Sequence, residues 1–528
     1  MKKTMKQHSF ASRLKSLALV FGIALAFASC ANEEIAQNPN GTDNNKNFTI
    51  FSTGDPATRT SMESNGAFYW EAGDKIWVKD DNGTWQQSRN APTEKTASFK
   101  FEVPGSFTKT TTYKVYYPGQ NGNQNQVTIT ANQSQAEPNT TAHFGTSGDC
   151  GMADAAWSNT KNGFAFTLDH KAAYLLFLPR TSNTILHDCY LTKVEVNSDN
   201  DITSTYTLDP TTGELTGTGT DKQITVELGG SGTYANGFPL TNNATSAATN
   251  GAYVVIKPGI HTLKVRYWVK DVATGVEGTI TKILSSATYD QNKYYNITAN
   301  LDVKNYDGDH YYMWDAQKQY WYGYEWTKHL PGNTGQPILN GNSSSNYAQS
   351  NSDVSRWYNE SYPGSGVSNP AIHSCKDLPN VNEMFWYCMY GDPRWDGDEL
   401  WTTMSHLYKG GMWFKKKSVL QAEGHYDTEK SADGTTDIRT AWKNYNNNSS
   451  SINNSGLPSA ADANNYFYLP ALGYYTSGQL YLVGNTGLYW SSSAYTASIE
   501  AYYLLFSSGS VRVGSGARYN GLREEAFQ

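Results

Sequence analysis

The stretch HTLKVRYWV, residues 261–269, alternates apolar side chains with mostly polar ones. Such alternation is typical of a β-strand that buries one face. Similar short runs recur between turn-forming residues: NFTIFST, DKIWVKD, ASFKFEV, TYKVYYP, QVTITA, YLTKVEV, KQITVEL, AYVVIKP and KYYNITANL. Their close and regular spacing favours β-sandwiches over a fold built from βαβ units.

The character of the sequence changes near residue 303. Before that point one strand pattern follows another, whereas Trp, Tyr and Gly become dense afterwards, beginning with YYMWDAQKQYWYGYEW. A chain of this length is expected to form several domains. We predict a signal segment at 1–30, a first β-sandwich at 31–160, a second at 161–302 and a third domain at 303–528.

Two helices are predicted in the third domain. One covers NVNEMFWYCMY, residues 380–390. The other covers DELWTTMSHLYK, residues 398–409, where Leu400, Met404 and Leu407 would share one helical face. Asp398 is suited to cap the start of this second helix.

The first thirty residues have the anatomy of a secretory signal. Basic residues precede an apolar run from Leu17 to Phe27, which is too short to span a bilayer. Two small residues and then Cys30 follow, which resembles the lipobox of bacterial lipoproteins. The resemblance implies acylation of Cys30, for example by palmitate, and an anchor in the outer membrane. Ordinary signal cleavage next to an incidental Cys is the alternative.

Removal of this leader makes the chain more acidic. The leader holds five of the 41 Lys and Arg side chains and no acid, which leaves 36 bases against 48 acids and a net charge of −12. Such a balance argues against nucleic-acid binding. Glu33 and Glu34, directly behind Cys30, resemble the acidic surface-export signal of lipoproteins in Gram-negative anaerobes, which implies the cell surface.

Three segments before residue 303 resemble the fimbrillins, the subunit family of protease-matured (type V) pili. They are TRTSMESNGAFYWEAGDKIWV at 58–78, FAFTLDHKAAYLLFLP at 164–179 and KYYNITANL at 293–301. The resemblance implies two consecutive Greek-key β-sandwich domains. His170, within the second segment, is interpreted as a hydrogen-bonded residue at a sheet edge and not as a ligand.

The same resemblance gives Arg59 a role in maturation. A trypsin-like protease would cut between Arg59 and Thr60 and remove the lipidated first strand. Loss of a strand exposes a sheet edge and an apolar groove, which a strand from another pilin subunit can fill. An inert loop Arg is the alternative interpretation.

The last part of the chain resembles the C-type-lectin-like domains of bacterial surface lipoproteins, which share their α+β fold with the formylglycine-generating enzymes. The segments that carry the resemblance are CKDLPNVNEMFWYCMYGDPRWD, LYKGGMWFKKKS, YLPALGYY, LYWSSS, AYYLLFSSGSVRV and ARYNG. AYYLLFSSGSVRV is predicted to be a hairpin with Tyr502, Leu504 and Phe506 on one face. The ending LREEAFQ departs from the family pattern, so Leu522 and Arg523 are expected to keep only part of the final strand.

Rigid aromatic side chains among Ser, Asn and Gly are the usual composition of recognition surfaces. On this basis Trp490, Tyr495 and Tyr502 are the candidate ligand surface, with core packing as the alternative for each ring.

Catalytic and metal-binding motifs are missing from the sequence. No Cys follows Cys388, although formylglycine-generating enzymes use a reactive Cys pair late in the domain. No zinc-protease, phosphate-loop or nucleophile-elbow motif occurs. Four acids stand close together: Asp392, Asp396, Asp398 and Glu399. Carboxylates can bind Ca²⁺, but we interpret these as a solvated helix start, and we expect neither a cofactor nor enzyme activity.

Four Cys remain besides Cys30. Outside the cell they are able to form disulfides, and four thiols allow three pairings. The simplest joins Cys150 to Cys189 and Cys375 to Cys388, with isolated buried thiols as the alternative.

The resulting hypothesis is a pilus-tip adhesin. It would accept a donor strand and present its lectin-like module to a glycan or protein on host or neighbouring cells. The alternative is a surface lipoprotein that binds glycan or protein without polymerising.

Overall fold

The computed structural model of the chain consists mainly of β-strands, as the strand patterns predict. Within the described part of the chain, no helix is long and apolar enough to cross a membrane. The structure describes residues 6–9, 48–53, 61–62, 68–219, 221–306, 310–325, 344–361, 370–403, 406–495 and 499–527.

The first module is organised around one eight-stranded sheet of order β6-β5-β8-β11-β12-β2-β7, with β13 paired to β11. Its core contains Trp70, Phe101 and Tyr117, all fully buried. The strands up to residue 170 are β1 Lys6–Ser9, β2 Thr49–Thr53, β3 Ser61–Met62, β4 Phe68–Tyr69, β5 Trp77–Lys79, β6 Trp85–Gln87, β7 Lys100–Val103, β8 Tyr113–Tyr117, β9 Gln126–Ile129, β10 Asn132–Gln135, β11 Gly151–Ser158, β12 Gly163–Phe166 and β13 Asp169–His170. Of these, β1, β9 and β10 pair with strands of the second module.

The second module packs two sheets against each other. One has the order β1-β23-β14-β20, and the other contains β10-β18-β15-β21-β22. Rings from the two sheets meet where Phe177 lies 5.8 Å from Tyr267. The elements are α1 Phe144–Ser147, β14 Ala173–Arg180, 3-10 helix Thr184–Asp188, β15 Cys189–Ser198, β16 Ser204–Leu208, β17 Leu215–Thr216, β18 Gln223–Leu228, 3-10 helix Gly232–Tyr234, β19 Phe238–Pro239, α2 Ala247–Asn250, β20 Ala252–Ile256, β21 Gly259–Asp271, β22 Glu277–Tyr289 and β23 Lys293–Asn300.

The stretch HTLKVRYWV lies within β21 and buries its alternating apolar residues in the sandwich core. These residues are Leu263, Val265, Tyr267 and Val269. The alternation therefore predicted both the strand and its buried face.

The third module is a mixed α and β unit. Its main sheet has the order β24-β34-β31-β32-β33-β27, and α3 contacts β31, β32 and β33. The elements are β24 Tyr311–Tyr312, α3 Val381–Tyr390, β25 Arg394–Thr403, β26 His406–Lys415, α4 Lys417–Ala422, β27 Asn446–Asn447, 3-10 helix Ala463–Asn465, β28 Tyr466–Pro470, β29 Tyr474–Thr476, β30 Gln479–Tyr481, β31 Thr486–Ala494, β32 Glu500–Ser507, β33 Ser510–Ala517 and β34 Leu522–Arg523.

Several local predictions for this module are confirmed. Helix α3 begins after Asn380, which forms a capping box with Glu383. The hairpin predicted at 501–513 is β32 and β33, which turn between Ser507 and Ser510. Leu522 and Arg523 do form a strand, β34, which pairs with both β24 and β31.

The helix predicted at 398–409 is wrong, because residues 398–403 belong to β25 and residues 406–409 to β26, and the two strands pair antiparallel. Met404 lies outside the described residues. Successive side chains of β25 enter different cores: Leu400 packs into the second module and Trp401 into the third. A strand presents neighbouring side chains to opposite faces and so can serve two cores at once. At this junction between the second and third modules, the pairing of strands prevails over the local helical pattern. Asp398 therefore caps no helix.

Candidate functional site

Strand β2 occupies an interior position in the sheet of the first module. It runs parallel to β12 and antiparallel to β7, with Phe51 opposite Phe164 on one side and Phe101 on the other. The Phe51 ring stacks on Phe164 at 4.9 Å and meets the edge of Phe107 at 5.1 Å. Because Phe51 is fully buried, this short strand supplies part of the module's core.

Residues further along the chain hold the end of β2. The Thr53 hydroxyl accepts a hydrogen bond from Trp70 Nε1 at 3.2 Å and another from the Phe99 amide at 3.0 Å. Removal of β2 would therefore leave two unpaired strand edges and an apolar slot of one strand's width. Cys30, Arg59 and Thr60 lie outside the described residues.

The aromatic residues predicted as a ligand surface are mostly core. Trp490 is fully buried, and its Nε1 donates to the Tyr312 carbonyl at 2.8 Å. Tyr502 is 3% exposed, and Tyr495 is half-buried with its ring 5.3 Å from that of Tyr502. The assignment of Trp490 and Tyr502 to a surface is therefore wrong, since both rings are buried, each in a different hydrophobic cluster of the module.

Other aromatic side chains of the third module are exposed instead. Trp442 is 66% exposed, Tyr322 47% and Tyr519 43%. Sequence reasoning missed them because Trp and Tyr are so frequent here that exposure does not follow from residue type. Trp442 stands between Ala441 and Lys443 and lies in neither a strand nor a helix.

The four acids predicted to form a solvated helix start lie instead on and before β25. Arg266 donates to Asp396 Oδ1 at 2.9 Å, and Trp413 Nε1 donates to Asp396 Oδ2 at 3.1 Å. Asp396 is only 2% exposed, so it forms a buried ion pair between the second and third modules. Among the described residues, no group of three or more His, Cys, Asp or Glu could hold a metal ion.

Glu399 belongs to the same junction. Its carboxylate accepts from the Thr281 amide at 2.9 Å, the Thr281 hydroxyl at 2.6 Å and the Thr279 hydroxyl at 3.0 Å. Loss of surrounding water and the neighbouring charge of Asp396 raise the pKa of Glu399 to about 7.

This shift predicts a pH-dependent stability. Between its ordinary pKa and about 7, Glu399 holds a proton in the folded chain but not in the unfolded one. Stability from this residue is therefore fully present in acid and lost as the pH rises through about 7. We expect Glu399→Gln to gain stability relative to wild type across this range, measured as the difference in thermal midpoint. A difference that stays constant from pH 4 to 8 would contradict this assignment.

His170 is hydrogen-bonded, as the sequence interpretation has it. Its Nδ1 lies 2.9 Å from Asp149 Oδ1, and the same oxygen accepts from the Tyr174 hydroxyl. All three side chains are buried, which fits a structural network better than a ligand site.

The four cysteines are free and buried, so the pairings of Cys150 with Cys189 and of Cys375 with Cys388 are not formed. The last two have separate surroundings that explain this. Cys375 Sγ accepts from the Asp315 amide at 3.2 Å, whereas Cys388 Sγ donates to the Val511 carbonyl at 3.3 Å.

Searches by sequence against protein-family models and against curated proteins gave no match. Among solved structures, the chain is similar to a fimbrial protein from Bacteroides ovatus, at 11% identity, a TM-score of 0.25 and coverage of 90% of this chain and 98% of that one. It is also similar to a fimbrial assembly protein from Parabacteroides distasonis, at 12% identity and a TM-score of 0.23, over 48% of this chain and 91% of that one. The chain is also similar to the fimbrial anchor protein Mfa2 from Porphyromonas gingivalis, at 13% identity and a TM-score of 0.21, over 45% of this chain and 83% of that one. These identities and TM-scores do not support the transfer of any functional residue to this chain.

Proposed function

We propose that this chain is a subunit of a cell-surface fimbrium and that it occupies the filament tip. In this proposal the first module exchanges β2 for a strand of a neighbouring subunit, and the third module binds a partner outside the cell. The observation that carries the proposal is the interior position of β2. A strand that is paired on both sides and also fills the core leaves a specific slot when it departs.

In this proposal Arg59 is the cleavage residue. Arg59 follows β2 by six residues, so a cut there separates β2 from the rest of the first module. The lipid expected on Cys30 would leave with the removed segment. This order of features matches the maturation that the fimbrillin resemblance implies.

The path of the chain after β23 supports a terminal position in the filament. A subunit within the shaft needs a free C-terminal strand to donate to its neighbour. Here β23 leads into the third module, and β34 is paired between β24 and β31. Phe527 also packs against Tyr387, with ring centroids 5.2 Å apart. Such a subunit would accept a strand without donating one.

Limited digestion tests the maturation step. We expect a trypsin-like protease to cut the folded chain after Arg59 and to leave a stable fragment that begins at Thr60, as N-terminal sequencing would show. Arg59→Ala should resist this cut. Arg89→Ala is the matched control, since Arg89 lies in the same module and pairs with Glu102, and it should be processed like wild type. Normal maturation and assembly of Arg59→Ala would contradict strand exchange.

Immuno-electron microscopy of the producing cells tests the location. Antibodies against the third module should label filament ends. Labelling along the whole shaft would exclude the tip position. Labelling of the cell surface without filaments would favour the alternative, a surface lipoprotein that does not polymerise.

A further inference from the structure

A polar cavity opens on the third module. Its volume is about 190 Å³, and it lies between residues 376–379, helix α3, the start of α4, the loop at Tyr426 and residues 526–527. Pockets for drug-sized ligands are larger, at roughly 300 Å³ or more. The cavity therefore has room for one small ring-sized group.

A fixed carboxylate lines this cavity. Glu383 is 8% exposed, and its Oε2 accepts from the Asn380 amide at 2.7 Å. Its Oε1 accepts from the Tyr426 hydroxyl at 2.6 Å and lies 3.5 Å from Lys417 Nζ. These contacts hold the acid in one orientation, so it presents a preorganised hydrogen-bond acceptor.

Two lysines supply donors at the mouth of the cavity. The Lys417 ammonium lies 4.9 Å above the centre of the Tyr426 ring, and its side chain is 44% exposed. Lys376 is exposed and forms no ion pair with any residue that the structure describes. Asp377 and Glu383 balance these two charges, so the lining as a whole is close to neutral.

Aromatic rings form the remaining wall. Tyr387 lines the cavity and is 1% exposed. The rings of Tyr426 and Phe527 stand nearly perpendicular to it, at centroid distances of 5.9 and 5.2 Å. The cavity thus combines acceptors, donors and apolar ring surface within one small volume.

We propose that this cavity binds a single neutral sugar residue of a glycan. Sugar hydroxyls both donate and accept, so they can use the Glu383 carboxylate and the lysine ammonium groups together. The C–H face of the ring can pack on the aromatic wall. An anionic group would meet two carboxylates as well as two ammonium groups, so the nearly neutral lining gives it no net attraction. A purely apolar group would leave the charged residues without partners. This inference rests on the proposed adhesive function and names its ligand class.

The test measures sugar binding by the full chain. Methyl glucoside, galactoside and mannoside are compared with methyl glucuronide and inorganic phosphate by saturation-transfer NMR and calorimetry. We expect at least one neutral hexoside to bind, with EDTA having no effect. The double variant Lys376→Met and Lys417→Met should weaken binding by about tenfold or more, as loss of a charge-assisted hydrogen bond does.

Lys443→Met is the matched control. Lys443 also lies above a tyrosine ring, that of Tyr445 at 5.3 Å, and pairs with an acid, Asp433, but it does not line the cavity. This variant should bind like wild type, and circular dichroism should show the same fold for all variants.

Three results would overturn the inference: no hexoside binds, only the anionic probes bind, or the double variant binds as well as wild type. The last would place the sugar elsewhere on the chain and leave the adhesive function intact. Failure of the fimbrial proposal would show separately, in the labelling of filament ends.

Discussion

A chain that begins at Thr60 should unfold its first module more readily than the full chain, and a peptide of residues 47–54 should restore its stability. The reason is the place of β2 between β12 and β7, where it contributes Phe51 to the core. Without β2 the two neighbouring strands lose a hydrogen-bonding partner, and the slot is exposed to water. Hydrogen exchange of the first module, with and without the peptide, measures both effects.

Two variants of the peptide test the specificity of the slot. Phe51→Ala removes a fully buried ring, which typically costs about 3–5 kcal/mol, so the peptide should bind at least about 100-fold more weakly. Ile50→Ala is the control, since Ile50 points to the opposite face and is only half-buried. Equal binding of the Phe51→Ala peptide and the unmodified one would show that the slot does not recognise the Phe51 side chain. Strand exchange would then lose its physical basis.

The strands of the second module could be predicted from the sequence because one face carries apolar side chains and the other mostly polar ones. In β21 this difference imposes a period of two that is visible without any partner. At the junction between the second and third modules, prediction from the spacing of apolar residues failed. Leu400 and Leu407 have helical spacing, yet both pack into the core of the second module while Trp401 packs into that of the third. A residue's assignment to one of two cores is a tertiary property, so local spacing could not reveal it.

The candidate site was harder to predict than the fold. Sequence composition correctly marks the third module as aromatic, but it does not separate buried rings from exposed ones. The segment YWSSS appears polar, yet Ser491, Ser492 and Ser493 are all buried together with Trp490. The cavity at Glu383 could not be predicted from the sequence for another reason. It joins residues 376–379 to residues 526–527, which the chain brings together only after folding.

Replacement of Trp490 by Ala should destabilise the third module by about 3–5 kcal/mol, the usual cost of removing a large buried ring. The ring is fully buried, packs against Tyr503 at 6.1 Å, and donates its Nε1–H to the carbonyl of Tyr312 on β24. The variant therefore loses core contacts and also leaves that carbonyl without this donor. Because several modules unfold in one chain, a single global transition is not expected. Urea-dependent hydrogen exchange of peptides from β31, β32 and β33 isolates the effect.

Trp442→Ala provides the contrast that makes this result informative. Trp442 is 66% exposed, so its removal should change the stability of the module by no more than about 0.5 kcal/mol. The two variants delete the same side chain from the same module, and the two rings differ in burial and in the hydrogen bond and strand position that Trp490 has. If Trp490→Ala leaves the exchange of these strands unchanged while it abolishes binding of a partner, Trp490 would be a surface residue after all. Loss of stability in Trp490→Ala alone would instead confine the search for ligand contacts to exposed positions such as Trp442 and to the cavity beside Glu383.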